Sequence, residues 1–283
     1  MDDSNQPARP LFTFGPGMRA MLLVALVFSC MGIYELLSFV APDAMSNLSA
    51  NHPDLLGVFQ NILIFALPAI VYVNVFPLER FGYLRLNKSV SPVTVLLGVI
   101  GLVVLIPAMD FGAMAIRQSI TNPELITFIE TLEKSNDAAY QMPTFGSFLA
   151  CLLFNALVPA FCEELLFRGG IQQILMERSR NRAFPIIVSA LVFTLFHSNP
   201  TQLPFIFLSG LILGYAFYRT GSLRTSLIMH FLFNGTALFL EYLAQHNSAV
   251  RSWMPGAFVT VIAVVVSAVF LYLLWRKTEH SKI

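Results

Sequence analysis

Eight apolar runs divide the 283-residue chain, at about residues 18–40, 54–77, 93–116, 145–176, 185–199, 202–218, 225–244 and 255–275. A helix needs about 20 apolar residues to cross the hydrocarbon core of a bilayer. Backbone polar groups in lipid must find partners within the protein, and a helix satisfies its own. The runs therefore predict an all-α membrane protein, a polytopic helical bundle of about eight transmembrane helices. Composition agrees, since only 12% of the residues are charged where a soluble domain carries about 25%. The first run is too long for the core of a signal peptide and has no small-x-small cleavage site, so it reads as the first span. A net charge of +1 gives no reason to expect nucleic acid as a partner.

Basic residues orient the bundle. Cytosolic loops collect Lys and Arg. With the N-terminus in the cytosol, thirteen of the 17 fall on cytosolic segments and three, Arg117, Lys134 and Arg251, fall outside. The last is Arg168, inside an apolar run. This asymmetry predicts both termini in the cytosol of a cell whose cytoplasmic (inner) membrane holds the protein. The chain divides into a cytosolic tail (1–16), three spans with an external loop (17–144), a polar-centred core of four spans (145–244), and a last span with a tail (245–283). Short interfacial helices are expected at Ile126 to Leu132 and Leu78 to Leu86. Runs 185–199 and 202–218 are short for spans, as helices that line a cavity can be. Cys30, Cys151 and Cys162 all lie in apolar runs and read as small buried hydrophobes.

Charge inside these runs is the chemical signal. An ionisable side chain at the bilayer centre costs about 2.5–3.5 kcal/mol on insertion scales and marks a functional site by default. Glu163, Glu164 and Arg168 share one run. Glu164 and Arg168 are four residues apart with the acid first, the favourable order for a helical ion pair. Glu163 is turned about 100° from that pair and needs its own partner. His197 closes the fifth run, and His230 and Asn234 are one turn apart in the seventh. Two histidines, an asparagine and a glutamate in three spans point to a shared site. Glu163 is about 15 residues, roughly 22 Å of helix, from Arg178, and His197 is at a similar depth. His230 and Asn234 lie closer to Arg224, so the cavity is expected to open toward the cytosol. Asp110 and Glu35 are lone acids near the outer interface and read as structural. Gly210 and Gly214 form a small-xxx-small pair suited to close helix packing.

Glu163-Glu164-x-x-x-Arg168, Phe193-x-x-x-His197 and His230-x-x-x-Asn234, in this order, resemble the motifs of the CPBP family, the CAAX-protease and bacteriocin-processing (Abi) membrane proteins. The likeness covers about residues 145–240 and includes the Gly221-Ser222-Leu223 stretch. It implies an intramembrane glutamic endopeptidase. Glu163 would activate water with help from His197, His230 and Asn234 would form the oxyanion hole, and Glu164 and Arg168 would hold the site together. It implies no cofactor. The partners would be the lipid bilayer and a peptide or protein substrate reaching the site from the cytosolic side.

Three other readings stay open. Glu163, His197 and His230 could bind zinc as a His₂Glu set with an open position for water, although there is no HExxH. A non-catalytic membrane scaffold or immunity protein would not need the complete set of polar residues that this chain keeps. A proton-coupled transporter would be expected to show related halves, and the first three spans repeat none of these motifs.

Overall fold

The computed structural model describes residues 14–75, 80–253 and 255–278. Helix α1 covers Pro16–Val40, α2 Pro42–Asn51, α3 Pro53–Val75, α4 Arg80–Tyr83, α5 Pro92–Ser119 and α6 Pro123–Ala139. Helix α7 covers Phe145–Arg178, α8 Ala183–Leu195, α9 Leu203–Thr220, α10 Leu223–His246, α11 Ser248–Arg251 and α12 Ala257–Thr278. No strand occurs among the described residues. Proline stands at the first or second position of α1, α2, α3, α5, α6 and α9. There its missing N–H costs nothing and its fixed φ starts the helix.

Seven helices among the described residues, α1, α3, α5, α7, α9, α10 and α12, are long and apolar enough to cross a membrane, which makes the chain a multi-pass membrane protein. Their outer faces agree, for Met21, Phe28 and Phe258 are each more than half exposed. Such an apolar surface is stable against lipid and not against water. The eighth apolar run gives only the 13-residue α8. It stops at Leu195, short of the expected 199, and Pro200 disfavours helical geometry at Asn199 beyond it. The chain tightens into His197 N–H donating to the Thr194 carbonyl at 3.0 Å.

Two smaller expectations change. The interfacial helix expected at 126–132 is the 17-residue α6, begun by Pro123 and capped by the Asn122 carboxamide oxygen, which accepts from the Glu124 and Leu125 amides. In the stretch expected to lie on the head groups, Leu84 instead packs into the core beside Leu223 and Phe167. The tail up to residue 13, with Arg9, lies outside the described residues, as do Leu78 and Lys282.

Interhelical bonds define two ends of the bundle. At one end Arg19 pairs with Glu177, the Leu223 amide donates to the Arg85 carbonyl, and Arg219 donates to Thr278 and Trp275. This is the basic end. At the other, the Gln245 carboxamide donates to the Tyr140 carbonyl at 2.9 Å and accepts from the Met142 amide at 2.8 Å.

Helices α3 and α7 are not wound evenly. Ile62–Ala66 in α3 and Leu152–Leu157 and Leu165–Gln172 in α7 are π-wound. Pro68 and Pro159 follow the first two of these segments by two residues. A proline inside a helix lacks a donor and its ring presses on the carbonyl four residues back. Widening the preceding turn relieves that clash, and π-bulges recur at functional sites. The two widened turns lie where α3 and α7 face each other, and there Asn155 donates to Asp54 at 3.0 Å.

Candidate active site

Glu163 sits in the α-wound stretch Val158–Glu164, between the two π segments of α7. His197 lies two residues past the end of α8, and His230 and Asn234 project from successive turns of α10. All four line one cavity of about 630 Å³, together with Phe193, Ser209 and Phe233. Glu163 and His230 are nearly closed off, at 9% and 4% exposure. Asn61, Tyr140, Asn155, Gln202 and Glu241 line the same space and were not singled out from sequence. Asn61 and Asn155 could have been, as polar amides inside apolar runs.

Behind this wall lies the charge that holds it. Glu164 and Arg168 are fully buried and paired at 2.8 Å between Oε1 and a guanidinium nitrogen. Glu164 Oε1 also accepts from His230 Nδ1 at 3.0 Å. Arg168 donates to the Gly210 carbonyl at 3.1 Å and stacks its guanidinium 4.7 Å from the centre of the Phe193 ring. One turn on, Gln172 donates to the Gly214 carbonyl at 2.8 Å. The two glycines make this approach possible. A Cβ at Gly210 would stand 3.2 Å from that of Ala190, and one at Gly214 would stand 2.9 Å from Gln172 Oε1. The pair thus docks α9 against both α8 and α7.

The histidines are oriented alike. His197 Nδ1 is 3.0 Å from the Phe193 carbonyl, and His230 Nδ1 meets the Glu164 carboxylate. A carbonyl or carboxylate oxygen only accepts, so Nδ1 carries the proton in both rings. Each Nε2 is left for the cavity, and that of His230 is 3.8 Å from Glu163 Oε2. Among the described residues no three His, Cys, Asp or Glu side chains are grouped to hold a metal ion. Glu163, His197 and His230 share a cavity without being grouped as a zinc ligand set.

The lining runs from Glu163 and His230 at the floor to Tyr140, Gln202 and Glu241. Tyr140 and the last turn of α10 form the end opposite Arg178 and Arg219. The space follows α10 from His230 to Glu241, while Leu223, Thr225 and Ser226 at the start of that helix are fully buried.

Residues 145–236 match the family model described as type II CAAX prenyl endopeptidase Rce1-like. No curated protein matches the chain. The matched stretch takes in α7, α8, α9 and the first half of α10, and so all seven named residues of the three motifs. Over this stretch the chain is similar to the Rce1-like family of CAAX-type membrane proteases.

Proposed function

We propose that the chain hydrolyses peptide bonds within the membrane, with Glu163 as the general base that takes a proton from water. The observation that carries this reading is the single cavity that gathers Glu163, His197, His230 and Asn234 from three helices. Water adds to the scissile carbonyl as Glu163 accepts its proton, and the same proton passes to the departing amine, leaving a carboxylic acid and a free amine. A positioned carboxylate serves both transfers. His197 offers Nε2 to the attacking water.

The oxyanion needs donors. The Asn234 carboxamide supplies N–H. His230 has committed Nδ1–H to Glu164, so its Nε2 donates only as the imidazolium. Glu164, already facing Arg168, supplies the negative charge that stabilises this cation. Glu164 then holds the His230 ring in this orientation and offsets the charge that the ring takes up as the oxyanion develops.

The substrate is a peptide or protein segment that reaches the site from the end bearing Tyr140 and Glu241. By the positive-inside rule this end faces away from the cytosol of a cytoplasmic membrane, with both termini inside. That reverses the direction of access expected from sequence depth. Labelling intact cells with a membrane-impermeant maleimide tests the side. Lys134→Cys should react and Arg180→Cys should not, and the reverse pattern would invert the topology.

Purified protein in detergent, incubated with a quenched peptide library, tests the chemistry. Wild type should cleave and Glu163→Gln should not. Equal cleavage by both would remove Glu163 from the mechanism.

A further inference from the structure

A second chamber, of about 200 Å³, opens off the site between α5, α9 and α10. It shares Gln202, Ile206, Ser209, Phe233 and Ala237 with the main cavity, so the two adjoin across these residues. Its far wall is α5, with Ile106, Met109, Ala113 and Asp110. Asp110 stands nine residues before the end of α5 at Ser119, about 14 Å from that end along the helix. Among the described residues it makes no hydrogen bond or ion pair. A bare carboxylate within a span is costly, and acids so placed face a cavity and take a partner. Three carboxylates line the two adjoining spaces, Glu163 and Glu241 in one and Asp110 in the other, and no Lys or Arg lines either.

The walls beside Asp110 fit a particular partner. Met109, Phe205, Ile206 and Phe233 offer apolar surface, with Ser209 and Gln202 as neutral polar groups. A Lys or Arg side chain has this composition in reverse, an apolar stem ending in a cation. Phenyl faces also attract such a cation once water is excluded. We propose that the side chamber is a specificity subsite that takes one basic side chain of the substrate, with Asp110 pairing with its ammonium or guanidinium. The reading rests on the peptidase assignment, since the chamber adjoins the residues that would attack the scissile bond. It makes Asp110 a specificity-determining residue, where sequence alone gave it a structural role.

Two measurements decide it. The first needs no catalysis. Thermal unfolding of the full chain in detergent is followed with butylguanidinium and with its neutral analogue butylurea. Wild type should be stabilised more by the cation, Asp110→Asn should lose that difference, and Asp110→Glu should keep it. No difference in wild type, or one that survives in Asp110→Asn, overturns the subsite. The second compares matched quenched peptides carrying arginine or norleucine at each position in turn. At one position wild type should prefer arginine by about tenfold or more in kcat/KM, within the range that pocket contacts can give. In Asp110→Asn that ratio should fall to about twofold or below. An equal ratio in both proteins overturns the proposal. If wild type cleaves nothing, the peptidase reading fails, and the unfolding experiment still decides whether the chamber binds a cation.

Discussion

His230 Nδ1 and Glu164 Oε1 lie 3.0 Å apart, and Arg168 reaches that same oxygen at 2.8 Å. One buried carboxylate on α7 therefore fixes both the arginine of its own helix and a cavity-lining histidine 66 residues along the chain on α10. Loss of Glu164 should disturb folding and chemistry together, whereas loss of Glu163 should disturb chemistry alone.

Glu163→Gln is expected to lower peptide cleavage by about 10²–10⁴-fold, the usual contribution of a positioned general base. Its Oε2 is 3.8 Å from the nearest histidine nitrogen, so little packing depends on its charge. The unfolding midpoint in detergent should stay near that of wild type. A large drop in the midpoint would give Glu163 a structural role.

Arg168→Met should be strongly destabilised, by about 3–5 kcal/mol, because Glu164 keeps a buried charge without its guanidinium. Adding Glu164→Gln should recover much of the loss, since a glutamine oxygen still accepts from His230 and no charge is stranded. Arg168→Lys should not recover it. A single ammonium cannot reach Glu164 and the Gly210 carbonyl while stacking on Phe193. Unfolding curves of the four proteins check all three outcomes.

Gly214→Val should cost about 1–3 kcal/mol by overpacking. Its Cβ would stand 2.9 Å from Gln172 Oε1 and 3.3 Å from Ile186, so α9 must retreat from α7 and α8. That retreat would also draw the Gly210 carbonyl away from Arg168, and cleavage should fall with stability. A variant as stable and as active as wild type would show that the close approach is dispensable.

Asn234→Ala should reduce kcat by about 10²–10³-fold with little change in KM, as expected for the loss of a donor used only in the transition state. A rise in KM at constant kcat would place Asn234 in ground-state binding instead.

Chelation with 1,10-phenanthroline should leave cleavage unchanged, since the cavity residues are not gathered as a ligand set. Loss of activity that zinc restores would show that Glu163, His197 and His230 close around a metal.

Much of the fold was legible because helices are local. Each apolar run satisfies its own backbone, and the prolines that open α1, α3, α5 and α9 stand at or near the start of their runs. The Glu164–Arg168 pair was legible for the same reason, as both residues lie on one turn of one helix. The short α8 was half legible. Its run was visibly brief, yet the stop at Leu195 lies in a tightened last turn, where the Phe196 and His197 amides donate to Phe193 and Thr194.

By itself, then, the sequence determined an all-helical membrane protein with three polar motifs in order on three of its helices, because spacing within a segment sets which side chains share a face. Only the tertiary structure decided that Glu164 also holds His230, that Pro68 and Pro159 follow widened turns where α3 faces α7, that the cavity runs toward Tyr140 and Glu241, and that Asp110 joins the site through a side chamber. These are relations between helices distant in sequence. They are set by how closely surfaces such as Gly210 and Gly214 let backbones approach, and that packing leaves no periodic trace in any single run.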